Sequence, residues 1–167
     1  PSDADINRHF DRADMNGNGM LSLAEIDKLI VEMWPAFNNK PAMMRAYRAA
    51  DANTTGFISK KEFRRFVLLL HLYTKAFEVF QRIDSSGDRR ITKQEFVKGC
   101  RLLDAWTAKT DAEVEDVFVR ADVNGGGVLL FDEFCAVLIP ELTQRVVVTR
   151  AQFTPALEAG LTCYLCG

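Results

Sequence analysis

Four short stretches place oxygen-bearing side chains at a shared spacing. They are "DMNGNGMLSLAE" from Asp14 to Glu25, "DANTTGFISKKE" from Asp51 to Glu62, "DSSGDRRITKQE" from Asp84 to Glu95 and "DVNGGGVLLFDE" from Asp122 to Glu133. Each has Asp first, an oxygen side chain third, an aliphatic residue eighth and Glu twelfth. Oxygens at alternate positions, closed by a carboxylate, suit a hard divalent cation. Ca2+ takes about six to eight oxygens at roughly 2.3–2.6 Å. A tight loop can offer them from positions one, three and five, the carbonyl of seven, a water at nine and both oxygens of the closing Glu. A glycine at six supplies the left-handed backbone that lets such a loop turn.

The donor sets differ. Loop one offers Asp14, Asn16, Asn18, the Met20 carbonyl and Glu25, and is complete, though only two of these are charged. Loop two offers Asp51, Asn53, Thr55, the Phe57 carbonyl and Glu62, with Lys60 and Lys61 opposing a cation. Loop three offers Asp84, Ser86, Asp88, the Arg90 carbonyl and Glu95, the richest carboxylate set. It has Arg89 where glycine is expected, at a cost of roughly 1–2 kcal/mol. Arg89, Arg90 and Lys93 add repulsion. Loop four offers Asp122, Asn124, the Val128 carbonyl and Glu133. Gly126 gives no side chain at five and Leu130 no oxygen at nine; water could fill both gaps, and the paired-loop geometry could persist without metal. Ca2+ is the expected ion, with Mg2+ as the alternative in the weaker sites.

The flanks supply the elements that must hold these loops. Ile6, Phe10 and Ala13 recur at helical spacing before loop one; Ile26, Leu29, Ile30 and Met33 follow it, ended by Pro35. Pro41 opens a helix through Met44 and Tyr47. Ser22 with Glu25, Ser59 with Glu62, Thr92 with Glu95 and Thr110 with Glu113 read as capping boxes. Pro140 is expected to end the last helix. The aliphatic eighth residues should pair the loops, Leu21 facing Ile58 and Ile91 facing Leu129. The pattern predicts an all-α fold of four helix–loop–helix units in two paired lobes.

On these repeats the chain resembles the EF-hand superfamily, over roughly residues 3 to 140. The connector "FRRFVLLLHLYTKAFEVFQRI" is unlike the polar tether of calmodulin. Phe66, Val67, Leu68, Leu69, Leu70, Leu72, Tyr73, Phe77, Val79, Phe80 and Ile83 make it apolar on nearly all sides, so a buried central helix and compactly packed lobes are expected. The connector, the third loop without its glycine and "LLDAWTAKTDAEVEDVFVRADVNGGGVLLFDEF" look like the calflagins, flagellar calcium-binding proteins of kinetoplastid protists. That likeness implies a membrane-associated calcium sensor of the flagellum, acylated at its N-terminus. The residues from Pro1 onward carry no secretory or acylation signal, so membrane association is expected only through an acylated segment ahead of them. The expected organisation is an N-terminal pair over 1–70, a C-terminal pair over 71–140 and an apolar tail over 141–167.

Composition sets the outer limits. The chain has 167 residues, 48% apolar, with a net charge of −2, which suits a packed domain and argues against nucleic acid as a partner. Cys100 and Cys135 sit in apolar patterns and read as core thiols; Cys163 and Cys166 form a lone CxxC without further zinc ligands nearby. The tail residues Val146, Val147, Val148, Phe153, Leu157, Leu161, Tyr164 and Leu165 are apolar and suggest docking. No nucleophile–base set or phosphate-cradling loop points to an enzyme. Two readings follow. One is a calcium sensor that engages a partner helix in a groove, with Met15, Met20, Met33, Met43 and Met44 as adaptable contacts or as core. The other is a structural adaptor in a ciliary or flagellar microtubule assembly that responds little to calcium. The expected location is cytoplasmic, with cilium or flagellum as the specific address.

Overall fold

A computed structural model describes residues 3–101 and 109–148. The expectations for Trp106, Cys163, Cys166 and the tail beyond Val148 lie outside the described residues. In chain order the elements are α1 (Asp3–Ala13), β1 (Met20–Leu21), α2 (Leu23–Met33), a 3-10 turn (Pro35–Phe37), α3 (Lys40–Ala50), β2 (Ile58–Ser59), α4 (Lys60–Ile83), β3 (Ile91–Thr92), α5 (Lys93–Cys100), α6 (Asp111–Ala121), β4 (Val128–Leu129) and α7 (Phe131–Val148). Two compact units emerge, one over Pro1–Thr74 and one over Lys75–Val148.

The helices start where their capping chemistry directs. Ser22, Thr92 and Thr110 form reciprocal boxes with Glu25, Glu95 and Glu113 at the heads of α2, α5 and α6. At α4 the Ser59 amide and hydroxyl both donate to Glu62, at 3.0 and 2.7 Å. Asn39 caps α3 by accepting from Ala42 N–H. Proline at the first helical turn costs nothing there, because its missing N–H would be unpaired anyway.

In the first unit, Leu21 pairs with Ile58 across an antiparallel two-residue ribbon. Both are fully buried. Beneath them Phe63 packs on Phe10 and Phe66, with ring centroids 5.4 and 6.0 Å apart. Trp34 stacks on Phe63 at 6.2 Å, and His9 sits edge-on to Trp34 at 5.2 Å. In the second unit, Ile91 pairs with Leu129. There Phe134 packs on Phe80 and Phe96, at 5.5 and 6.5 Å, and Phe118 on Phe96 at 5.6 Å. Each such buried side chain contributes about 1.5–3 kcal/mol, so the rings under the ribbons hold the loops in place. Cys100 and Cys135 are buried thiols, in keeping with core positions; burial pushes the Cys100 thiol up to about 12. Gly99 lets α5 lie close to the end of α4: a Cβ there would stand 2.7 Å from the Ile83 side chain.

Two expectations need correction. Pro140 does not end the last helix; α7 runs through it to Val148. Proline's fixed φ is already helical, so it forfeits one hydrogen bond and bends the helix without forbidding its continuation. The connecting helix is also not apolar on every side. Phe66, Val67, Leu70, Tyr73, Phe80 and Ile83 are buried, but Leu68 is 43% exposed. Leu69, Leu72, Phe77 and Val79 are half-buried, and Arg64, Arg65, Lys75 and Glu78 face solvent. The aliphatic run conceals a helical stripe with a polar back.

Candidate metal centre

Each of the four loops lies between a helix end and a ribbon strand. The first-position Asp organises it from within. One carboxylate oxygen of Asp14, Asp51, Asp84 and Asp122 accepts the main-chain N–H of the sixth residue: Gly19 and Gly56 at 2.8 Å, Arg89 at 2.8 Å and Gly127 at 2.9 Å. A left-handed sixth residue turns its N–H inward toward that oxygen. Arg89 takes the same conformation as the glycines, with φ 65°.

The fourth residue is left-handed too, which spacing alone did not suggest. Gly17, Gly87 and Gly125 fill it in three loops, and Thr54 fills it in loop two with φ 55°. A β-branched residue there is strained. The signal was present in the sequence, since glycine stands fourth in three of the four repeats.

The closing Glu reaches back across each loop. One Glu25 oxygen accepts from Asn16 Nδ2 at 3.0 Å, and one Glu133 oxygen from Asn124 Nδ2 at 2.7 Å. Glu62 accepts from Ala52 N–H at 3.2 Å; Glu95 accepts from the Ser85 hydroxyl and Ser86 N–H, both at 3.0 Å. The second oxygen accepts the ninth residue's N–H: Ser22 at 2.9 Å, Ser59 and Thr92 at 3.0 Å, and Leu130 at 3.1 Å. Loops one to three add a hydroxyl from Ser22, Ser59 or Thr92. Glu95 feels some burial, which would raise its pKa; the Thr92, Ser86 and Ser85 hydrogen bonds win and bring it to about 2. The Ser59 amide and hydroxyl hold Glu62 below its ordinary value in the same way. Both are therefore anionic at neutral pH.

Between these ends lie the remaining donors. Asn18 Oδ1 accepts from Met20 N–H at 2.8 Å, and Asp88 Oδ1 from Arg90 N–H at 2.9 Å. In loop two the Thr55 hydroxyl donates to the Phe57 carbonyl at 3.2 Å, and Asn53 Oδ1 accepts from Thr55 N–H. Ser86 donates to Asp84 at 3.1 Å. In loop four Asn124 Oδ1 accepts from Gly126 N–H at 2.7 Å, and Gly126 itself adds no side-chain oxygen. The twelfth side chain thus meets the third in loops one and four, and in loop two the fifth-position Thr55 hydroxyl lies 3.4 Å from Asp51. Among the described residues no three His, Cys, Asp or Glu side chains form a metal cluster by themselves. The sets depend on amide, hydroxyl and main-chain oxygens, hard donors that fit Ca2+ and not a thiolate-seeking metal.

One residue outside the loops was not foreseen in this role. The Tyr47 hydroxyl, on α3, lies 2.6 Å from the Gly56 carbonyl in loop two and 3.3 Å from the Leu21 carbonyl in loop one. Burial raises its pKa, so it stays protonated and donating.

Paired oxygen-lined loops between helices define a class of divalent-cation-binding helix–loop–helix proteins. The EF-hand domain pair family matches residues 40–101 and 73–139, and the EF hand family matches residues 6–30. The chain belongs to the EF-hand family, and Ca2+ is the ion its donors suit. It is 31% identical over 137 residues to "Probable calcium-binding protein CML34" of Arabidopsis thaliana, covering 81% of this chain and 97% of that protein. It is 27% identical over 139 residues to a "Flagellar calcium-binding protein" of Trypanosoma cruzi, covering 76% of this chain and 65% of that one. In fold it is similar to a structure of a homolog of programmed cell death 6 protein from Leishmania major Friedlin, with a TM-score of 0.51 at 23% identity, covering 86% of this chain and 79% of that chain. Among the described residues no helix is long and apolar enough to cross a membrane.

Proposed function

We propose that this chain is a calcium sensor without catalytic activity of its own, which takes up Ca2+ in its loops and engages a protein partner in response. The observation that carries the reading is the repeated closure of each loop, in which the twelfth-position Glu returns to the second or third residue and brings both ends of the oxygen set together. In this reading the ion is held by Asp14, Asn16, Asn18, Glu25 and the Met20 carbonyl, and by the corresponding sets that begin at Asp51, Asp84 and Asp122. The bound ion supplies double positive charge that offsets the carboxylates. The chain's own residues supply the ribbon pairs that link loop one to two and loop three to four.

Partner engagement is supported by exposed apolar side chains beside the loops. Met15 is 66% and Met20 45% exposed, whereas Met43 is buried, so the methionines divide between surface and core. Flexible thioethers suit adaptable contacts. Similarity to the Trypanosoma cruzi flagellar protein supports the cilium or flagellum as the location.

Calcium titration of the full chain tests the proposal, followed by calorimetry, tryptophan fluorescence and binding of an apolar dye. A sensor takes up more than one ion per chain, changes the fluorescence and exposes dye-binding surface. Uptake with no change in dye binding rules the sensor out in favour of a rigid adaptor. No uptake at all overturns the calcium reading itself.

A further inference from the structure

Charge is unevenly spread around the proposed ion sites. The stretch from Asp84 to Arg101, which makes loop three and α5, holds five cations (Arg89, Arg90, Lys93, Lys98 and Arg101) against three carboxylates (Asp84, Asp88 and Glu95). Those three carboxylates all belong to the loop. The corresponding stretch of loop four has Asp122, Asp132 and Glu133 and no cation as far as Ile139. Lys93, Lys98 and Arg101, with Gln94 and Val97 between them, line one face of α5 and a concavity of ≈ 460 Å³ bounded by Glu115 of α6. Two of these cations are partly answered: Lys93 lies 3.2 Å from Glu115 and Arg101 lies 2.7 Å from Asp111. Lys98 is exposed and stands without an ion pair among the described residues, as do the exposed Arg89 and Arg90.

Adding a divalent cation cancels most of the loop's negative charge, which leaves Arg89, Arg90 and Lys98 without an ion pair among the described residues while Lys93 and Arg101 keep theirs with Glu115 and Asp111. We propose that calcium at loop three converts this face into a docking surface for an acidic peptide segment of a partner protein, with Lys98 and Arg101 as its anchors. The inference rests on the calcium reading above. The surface is concave and has half-buried Val97 on its wall, which fits a carboxylate-bearing side chain better than a flat membrane. Opposite charges steer and select partners more than they add raw affinity, so binding is modest and salt-sensitive. Coupling is reciprocal: the acidic segment tightens calcium by the same factor that calcium tightens the segment.

The test is anisotropy of a fluorescent hexaglutamate peptide titrated with the full chain, in saturating Ca2+ and in chelator, with vesicles of phosphatidylserine as a separate arm. The peptide binds about tenfold more tightly in calcium, within the usual range of coupling between two sites. Lys98→Glu and, separately, Arg101→Glu abolish that gain, while Ca2+ stoichiometry stays at the wild-type value. Because Arg101→Glu also breaks the pair with Asp111, Lys98→Glu decides if the former misfolds. Equal peptide affinity with and without calcium, or calcium-enhanced affinity that survives Lys98→Glu, overturns the proposal. So does calcium-dependent capture by vesicles with none by peptide. If the chain takes up no calcium at all, the failure lies in the earlier reading.

Discussion

Loops one and three meet the same geometric demand with opposite balances. Loop one has glycine at both left-handed positions, Gly17 and Gly19, and only two carboxylates. Loop three has Gly87 at the first of these positions but Arg89 at the second, and three carboxylates. One loop turns without strain and attracts a cation weakly. The other has one more carboxylate, set against Arg89, Arg90 and Lys93, and bears a backbone cost of roughly 1–2 kcal/mol at one residue. Loops two and four, each with two ligand carboxylates, differ in strain and in donor number. Thr54 strains loop two, whereas loop four turns freely through Gly125 and Gly127 but has nothing at its fifth position. Each ribbon therefore joins one relaxed loop to one strained loop. Counting donors alone leaves out conformational cost, which rises together with carboxylate number between loops one and three.

The largest test of the contrast removes the shared element. Glu25→Ala and Glu95→Ala should each weaken ion binding at their own loop by more than the roughly 10–100-fold that losing an outer-shell partner costs. Loop-resolved NMR titration reads this out, and equal uptake in the double variant would end the comparison. Next, Gly99→Ala forces a Cβ to 2.7 Å from Ile83 and should cost the second unit about 1–3 kcal/mol, seen as a lowered midpoint in thermal unfolding. This separates scaffold damage from loop damage.

Smaller effects should come from the strain itself. Arg89→Gly and Thr54→Gly should each tighten calcium at loops three and two by about three- to tenfold, the equivalent of roughly 1 kcal/mol. The same change at a relaxed loop has nothing to relieve. The smallest effect concerns pH. Glu95 has its folded pKa depressed to about 2, so its contribution to stability is present above its unfolded value and is lost as pH falls toward about 2. In chelator, Glu95→Gln should flatten that acid limb of the stability curve measured by circular dichroism.

Much of this was legible in the sequence because the rules involved are local. Asp at one and Glu at twelve located every loop, the eighth-position aliphatics gave the registers Leu21–Ile58 and Ile91–Leu129, and Ser or Thr followed by Glu marked helix starts. What was missed depends on competition between elements. Thr54 carries no mark of its left-handed backbone in its own type; only the glycines at the same position of the other three repeats give it away. Pro140 reads as a stop by propensity, yet α7 absorbs its lost bond and ring clash and runs on to Val148. The Phe66–Ile83 run looks uniformly apolar until packing decides which of its faces meets a core. Tyr47 looked like one more apolar helix position, because the partners of its hydroxyl lie in two loops distant in sequence.

That tyrosine has a further consequence. Its counterpart at the end of α6 is Phe118: Asp51 N–H bonds the Tyr47 carbonyl just as Asp122 N–H bonds that of Phe118. The first couple of loops therefore has a phenolic contact in addition to its ribbon, and Phe118 offers no hydroxyl to make the same contact in the second. In the calcium reading, filling either member of the first couple should be felt by its neighbour through this contact as well as through the ribbon. The first couple should thus load in a single steep step, and the second along a shallower curve. If a lone oxygen atom makes that difference in steepness, Tyr47→Phe should erase it.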